Sequence, residues 1–177
     1  MTMQLRHAIL GLLDVAPQSG YDLGRAFARS VAHFWHADQS QIYRTLDRME
    51  TDGAISTETV PQRGRPDRKL HSLTDAGRTE LNEWLRAPLE VLQPKEPFLA
   101  RLFFAAPLGI SGVLALLDER EQTVRSAVDQ LNALPRASGD LGALLRTATL
   151  EAGIRQGEAE LEWLKDTRRM LEAEAER

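Results

Sequence analysis

The sequence predicts a mainly α-helical protein with one small β-hairpin, arranged as two domains. Apolar residues recur at steps of three and four along most of the chain, which is the spacing of an amphipathic helix. A short β-branched segment, a basic loop and a return strand interrupt this pattern near the middle. Three prolines between residues 88 and 97 then separate the first half from longer helices. We therefore predict domains at residues 1–88 and 89–177.

Composition excludes several classes of protein. The chain has 177 residues, of which 42% are hydrophobic, enough to bury a real core. The absence of cysteine removes disulfides, thiol nucleophiles and thiolate zinc sites, and it fits a reducing cytoplasm. The apolar run at residues 8–16 is interrupted by Asp14 and predicts a core helix rather than a signal peptide. No segment approaches the roughly 18 apolar residues of a membrane span, so we expect a cytoplasmic protein without a membrane partner.

The charge of the chain is unevenly distributed. The net charge is -4, but residues 1–88 contain 11 basic and 11 acidic residues, whereas residues 89–177 contain 11 and 15. Within residues 61–71 the only acidic residue is Asp67. The basic residues of that stretch are Arg63, Arg65, Arg68 and Lys69. A globally acidic protein therefore carries a local basic footprint of the kind that binds nucleic acid.

Three helices are predicted before the β-branched segment. They lie at about residues 4–16, 21–30 and 38–52. In the third helix Ile42, Leu46 and Met49 form one apolar stripe, and the opposite face is polar. The residues of that face are Gln41, Arg44, Thr45 and Arg48. Two caps are possible at its start, a box of Asp38 with Gln41 or Ser40 alone.

A hairpin and a fourth helix follow Gly53. Residues 55–60 have strand character, the loop at 61–67 is too rich in proline and glycine for a strand, and residues 69–73 form the return strand. Thr74 then caps a helix that reaches Pro88. This order describes a helix-turn-helix followed by a β-hairpin wing with a basic tip.

The C-terminal half is predicted to be helical throughout. A short helix begins at Phe98, a longer one spans residues 113–131, and the last runs from about Asp140 to Glu174. Apolar residues of the last helix keep steps of three and four and form an apolar seam. The seam consists of Leu150, Ile154, Gly157, Leu161, Leu164 and Leu171. A helix of about 30 residues spans about 45 Å, longer than this small domain covers by itself. We therefore expect these residues to pair with a two-fold mate in a homodimer.

Several segments together carry a resemblance to a known family. They are Ser19-Gly20-Tyr21-Asp22-Leu23, Phe34-Trp35, Gln41-Ile42-Tyr43-Arg44-Thr45-Leu46 with Gly53, Gly64-Arg65-Pro66 with Leu73-Thr74-Asp75-Ala76-Gly77-Arg78, and Phe98-Leu99-Ala100-Arg101-Leu102-Phe103-Phe104. The chain resembles the PadR-like transcriptional regulators, in particular the longer subgroup with a C-terminal helical domain. It departs from the family at Arg44, where proline is common, and at His71, where tyrosine is common.

The resemblance implies a dimeric winged-helix regulator, commonly a repressor, that in many members is released from operator DNA by a small molecule. Gln and Arg side chains on a helix in the major groove can contact base edges bidentately. We therefore expect Gln41 and Arg44 to contact bases, and Ser40 and Tyr43 to contact phosphate, with Arg48 nearby. Packing onto the domain surface is the alternative for Tyr43. Two recognition helices in a dimer predict double-stranded operator DNA with a pseudo-palindromic sequence.

The wing and the tryptophans complete the candidate sites. We expect the four basic wing residues to lie along the DNA backbone or in the adjacent minor groove. Trp35 and Trp84 are interpreted as core or interface residues, with a cleft for a small aromatic or cationic effector as the alternative.

Other functions have little support in the sequence. The chain has no glycine-rich phosphate loop and no Gly-x-Ser-x-Gly elbow, so we predict no enzyme, no catalytic residue and no cofactor. His33 and His36 lie near Asp38, but without a metal-binding motif they predict no metal site. A protein-interaction module built on the C-terminal helices is the main alternative, and the basic wing argues against it. A different winged-helix class, responsive to drugs or metals, would differ in effector rather than in DNA binding.

Overall fold

The computed structural model describes residues 5–27, 37–62, 64, 67–89 and 96–175. The chain forms two compact units, Met1–Leu92 and Gln93–Arg177. The first contains α1 (Leu5–Val15), α2 (Gly20–Ala26), α3 (Gln39–Thr51), β1 (Ile55–Val60), β2 (Arg68–Leu73) and α4 (Asp75–Arg86). The second contains α5 (Pro97–Phe103), a 3₁₀ turn at Ala106–Leu108, α6 (Gly109–Asn132) and α7 (Leu141–Ala175). The predicted class, mainly helical with one antiparallel hairpin, is confirmed.

The first unit is built around one apolar core. Its helices each bury one stripe, because their apolar residues recur at helical spacing. The stripe of α3 consists of Ile42, Leu46 and Met49, all of which are buried as the sequence predicts. They pack with side chains of α1, α2 and α4, namely Ile9, Leu10, Leu13, Leu23 and Leu81. Burial of this stripe decides which face of α3 remains exposed.

The start of α3 is fixed by a reciprocal capping box. The Asp38 carboxylate accepts a hydrogen bond from the Gln41 backbone N–H at 2.8 Å, and Gln41 Oε1 accepts from the Asp38 backbone N–H at 3.4 Å. The Ser40 hydroxyl donates to the same Asp38 carboxylate at 2.7 Å. Of the two predicted caps, the Asp38–Gln41 box is therefore the one that forms.

Arg6 connects three elements of the first unit. Its Nε and Nη2 donate to the two carboxylate oxygens of Glu80 at 2.6 and 2.9 Å, and its Nη1 donates to Asp52 at 2.6 Å. Glu80 belongs to α4 and Asp52 caps the C-terminus of α3. A bidentate guanidinium–carboxylate pair combines strength with fixed geometry. Arg6 thus holds α1, α4 and the end of α3 together.

The wing is joined to the helices at its base. β1 and β2 pair from Ile55 opposite Leu73 to Val60 opposite Arg68. Gln18, in the turn between α1 and α2, exchanges two backbone hydrogen bonds of 3.1 and 2.9 Å with His71. Because Gln18 pairs with β2 as a one-residue bridge, the hairpin is fixed beside the turn that leads into α2.

The second unit is a helical pair of α6 and α7, with α5 beside α6. Leu150, Ile154 and Leu164 of the apolar seam are buried, and Gly157, Leu161 and Leu171 are half-buried. A Cβ at Gly157 would lie 2.4 Å from Val128 of α6, so the two helices approach closely there. The length of the seam predicts a partner helix from a second copy. Within the same chain, α6 packs against this seam at Gly157. The pairing of the six seam residues with a second copy stays a prediction.

No single described helix is long and apolar enough to cross a membrane. The bent pair of Pro97–Phe103 and Ala106–Asn132, at 64°, meets the length and composition limits only when its two parts are taken together. Within this pair, α6 buries Val113, Leu117, Val124 and Val128, as a core helix does.

Replacing Gly77 with alanine is expected to destabilise the first unit by about 1–3 kcal/mol. A Cβ there would lie 2.1 Å from the backbone oxygen of Ala54, so the backbone itself must move. Gly11→Ala is the matched control, since its Cβ would meet nothing within 4 Å, and it should stabilise helix α1 by about 0.5–1 kcal/mol. Urea unfolding followed by circular dichroism measures both, and equal stability of the two variants would contradict the packing at Gly77.

Candidate nucleic-acid interface

Helices α2 and α3 approach each other closely at two glycines. A Cβ on Gly20 would lie 2.5 Å from Tyr43 Cε1, and one on Gly24 would lie 2.1 Å from Gln39 Oε1. Gln39 Nε2 also donates to the Gly20 backbone oxygen at 3.0 Å. The two helices are thus joined by one side-chain amide and approach closely at two positions of α2 that have no side chain. Tyr43 is 46% exposed, so it both packs on α2 and presents part of its ring outward.

All five residues predicted for the recognition helix are exposed on α3. They are Ser40, Gln41, Tyr43, Arg44 and Arg48. Arg44 Nη2 donates to the Ser40 hydroxyl at 3.5 Å, one helical turn earlier. This bond joins the side chains of Arg44, Ser40 and Asp38 in one row. The outward face of α3 therefore presents amide, hydroxyl and guanidinium donors together, which is what base edges and phosphates require.

Charge is polarised along α3. The first half contains Arg44 and no acidic residue, whereas the second half contains Asp47 and Glu50 with Arg48 between them. Both carboxylates line a cleft of about 610 Å³ between α2, α3 and β2, which Tyr21 and Tyr43 also line. Phosphates are repelled by carboxylates and attracted by the donors of the first half. The N-terminal half of α3 is therefore the part suited to DNA.

The described wing residues differ in their surroundings. Arg68 and Lys69 are both exposed at the start of β2, but the Arg68 guanidinium forms an ion pair with Asp22 of α2. Asp67 accepts a hydrogen bond from the Gln62 backbone N–H at 3.3 Å across the tip, which is the role of a turn residue. Arg63 and Arg65 lie outside the described residues.

Two buried histidines lie behind the interface. His71 is 5% exposed, and its Nδ1 lies 3.0 Å from the Thr57 hydroxyl on the neighbouring strand. His7 is 3% exposed and stacks on Trp84, with ring centroids 5.0 Å apart. Burial lowers the pKa of both imidazoles, because the charged form is poorly solvated there. Both are therefore packed groups whose neutral form the fold favours.

Of the remaining candidate residues, the structure describes only Trp84. Trp84 is half-buried and packs against the core of the first unit. Trp35, His33 and His36 lie outside the described residues. Among the residues that the structure does describe, no group of three potential ligands could hold a metal ion. A role for Trp35 or Trp84 in an effector cleft stays a prediction.

Sequence reasoning missed two positioning residues. Gln39 precedes the predicted exposed face by one residue, and only its reach to Gly20 in the folded state shows its role. Asp22 accepts from the Ser19 hydroxyl at 2.6 Å and pairs with Arg68, 46 residues away. The spacing of Ser19 and Asp22 signals a capping box, but no local pattern signals the ion pair with the wing.

The chain is similar to known transcriptional regulators over both units. Residues 9–83 match the transcriptional regulator PadR-like family, and residues 94–172 match the virulence activator alpha C-terminal region. The probable transcriptional regulator Rv1176c of Mycobacterium tuberculosis is 35% identical, covering 96% of this chain and 98% of that protein. The negative transcriptional regulator PadR of Bacillus subtilis is 31% identical, covering 72% of this chain and 70% of that protein.

Two crystal structures of Bacillus subtilis PadR share this fold. The complex with operator DNA has a TM-score of 0.80 and 27% identity, covering 94% of this chain and 98% of that one. The complex with p-coumaric acid has a TM-score of 0.75 and 26% identity, covering 95% and 98%. Coverage of nearly the whole chain shows that the resemblance is not confined to the helix-turn-helix.

Acidification is expected to destabilise the first unit through its buried histidines. Because the folded-state pKa is lowered, the unfolded chain binds protons first, so stability is present above an unfolded pKa of about 6.5 and is lost as the pH falls below it. Each histidine contributes a slope of at most about 1.4 kcal/mol per pH unit. Urea unfolding between pH 7.5 and 5.5 measures this slope. His71→Gln should make it shallower, as should His7→Gln, and an unchanged slope in both would refute the assignment.

Proposed function

The chain belongs to the PadR-like family of transcriptional regulators, and from this premise we propose that it binds double-stranded operator DNA sequence-specifically. The observation that carries the proposal is the exposed donor-rich face at the N-terminal half of α3, directly opposite a fully buried stripe. A helix held in this way presents its outer face to the major groove without rearrangement. The operator-DNA complex of Bacillus subtilis PadR supports the same use of the fold.

Within the proposed complex, Gln41 and Arg44 contact base edges. Both are exposed. The Gln41 amide offers a donor and an acceptor side by side, which suits adenine, and the Arg44 guanidinium offers paired donors, which suit guanine. Ser40 and Tyr43 contact phosphate, since both are exposed and their hydroxyls can donate to phosphate oxygens. Arg48 is one turn further along, where Asp47 precedes it, and it contributes charge rather than base discrimination.

The wing supplies sequence-independent affinity. Lys69 is exposed beside the tip, and Arg63 and Arg65 add two cations in the loop sequence. Contacts of these residues with phosphate release counterions and make binding dependent on salt. The protein-interaction module gains nothing from this basic cluster, so DNA binding remains the better account.

The proposal includes a homodimer acting as a repressor on a pseudo-palindromic operator. A two-fold dimer matches two half-sites, and the name of the negative regulator PadR of Bacillus subtilis supports repression. Because α6 is packed against the apolar seam, the surface for a second copy is sought among the exposed apolar residues of the second unit. At the start of α7 these are Leu141, Leu144 and Leu145, which are 57–71% exposed. An apolar group of this kind is costly to leave in water.

A small aromatic effector that releases the DNA is proposed from the p-coumaric acid complex of Bacillus subtilis PadR. Mobility shifts on the DNA upstream of the chain's own gene, repeated with p-coumaric acid and with cationic aromatic compounds, test operator and effector separately. Absence of any shift with the wild-type protein would overturn DNA binding there. A shift unaffected by every compound would remove the effector alone.

Gln41→Ala or Arg44→Ala should lose about 1–3 kcal/mol of discrimination between the operator and a scrambled duplex, because base contacts are lost.

Arg63→Ala with Arg65→Ala should instead weaken binding to both duplexes and flatten the salt dependence of binding. Fluorescence anisotropy at several salt concentrations separates the two effects. Arg155→Ala, an exposed arginine of the second unit, is the matched charge control. Unchanged affinity at low salt in the double wing variant would refute the wing contacts.

Leu144→Glu with Leu145→Glu should convert the dimer to a monomer, raising its dissociation constant at least about tenfold. Two charges cannot be buried in an apolar interface without large cost. Sedimentation velocity over a range of concentrations gives the result. Ala152→Glu, an exposed position on the same helix, should leave the dimer intact. An unchanged dimer in the double variant would place the interface elsewhere.

A further inference from the structure

Two neighbouring cations at the start of β2 have different surroundings. Lys69 is exposed, whereas the guanidinium of Arg68 is held by Asp22 on the first turn of α2. The Asp22 carboxylate is itself fixed, because it accepts from the Ser19 hydroxyl at 2.6 Å and from the Ser19 backbone N–H at 3.4 Å. Arg68 is therefore tied to the helix-turn-helix through a carboxylate that already belongs to the cap of α2.

We propose that Arg68 is a positioning residue of the wing, which acts through Asp22 and not through contact with phosphate. The proposal rests on the DNA-binding function above. Its content is that the Asp22–Arg68 pair fixes the basic tip of the hairpin relative to the recognition helix α3.

At the base of the hairpin, Ile55 and Leu73 pack in the core of the first unit. Beyond this packing, described residues of the hairpin are bonded to the helical segments at two points. Near its base, the backbone of His71 is bonded to Gln18 by two hydrogen bonds. Three residues closer to the tip, Arg68 is paired with Val60 across the ladder and with Asp22 through its side chain. One point of attachment lets a two-stranded ribbon pivot and twist, and a second one removes that freedom. Loss of the second point therefore misplaces the tip even though its own charges remain.

The negative charge of Asp22 distinguishes two explanations, because they predict opposite changes in DNA affinity when this charge is removed. Removing its negative charge makes the first unit more positive, and electrostatics alone predicts tighter DNA binding. Loss of wing position predicts weaker binding. Asp22→Asn separates the two, because the amide keeps an oxygen that can accept from the Ser19 backbone N–H, while the ion pair with Arg68 is lost.

The experiment titrates an operator duplex with the full chain and follows anisotropy at several salt concentrations. Asp22→Asn, Arg68→Gln and the double variant are compared with wild type, and Lys69→Gln is the matched loss of one positive charge. We expect each single change of the pair to weaken binding about two- to fivefold, the range of a partly exposed ion pair, with no further loss in the double variant. The slope of log affinity against log salt concentration should keep its magnitude for Arg68→Gln, and its magnitude should fall by about one for Lys69→Gln.

Two results would overturn the proposal. One is Asp22→Asn binding as tightly as wild type or more tightly. The other is Arg68→Gln lowering the salt slope by about one, as a phosphate contact does. Circular dichroism at the assay temperature gives the folded fraction of each variant, and each affinity is corrected for it. Weaker binding caused by unfolding is thereby separated from weaker binding caused by a misplaced wing. If wild type binds no duplex, the proposed function itself fails, which is a different outcome from either of these.

Discussion

The close approach of α2 and α3 is the constraint on which the rest of the first unit depends. At Gly20 and Gly24, a side chain on α2 would displace the ring of Tyr43 and the amide of Gln39, which occupy this space. Once the two helices are held in this way, the buried stripe of α3 points into the core and its donor-rich face points outward. The same geometry places the first turn of α2 next to the wing, where Asp22 meets Arg68. Helix packing, the exposed face and the wing position thus have a common origin.

The surface charge of the first unit depends on which charged groups are paired with one another and not on their total numbers. Residues 1–88 contain equal numbers of acidic and basic residues. Several carboxylates of this unit form ion pairs with its own arginines. Asp52 and Glu80 are held by Arg6, and Asp22 by Arg68. The remaining carboxylates of α3 lie in its second half, at the cleft beside β2. The donors at the start of α3 and the exposed Lys69 are therefore left to define a surface that suits a polyanion.

Local chemistry made most of the elements predictable. Helix caps at Asp38 and Thr74 and the turn at Gly53, where φ is +73°, are encoded within a few residues of where they act. Contacts between residues distant in sequence were not predictable, such as Gln39 with Gly20 or Arg68 with Asp22. The apolar seam shows the same limit, because the sequence does not show which distant segment contacts it. Its periodicity predicts a partner helix, and periodicity alone does not distinguish α6 of the same chain from a helix of another copy.

The difference in length between α6 and α7 determines which part of α7 is left uncovered by α6. At 1.5 Å per residue, the 24 residues of α6 cover about 36 Å, whereas the 35 residues of α7 extend about 52 Å. Arg120 pairs with Glu160, and Arg136, just after α6, pairs with Glu151, so the antiparallel pair brings the end of α6 near the middle of α7. The first turns of α7 therefore extend past α6, and this is where Leu141, Leu144 and Leu145 are exposed. In the proposed dimer, the beginning of α7 is therefore the part of this helix that α6 leaves uncovered for a second copy.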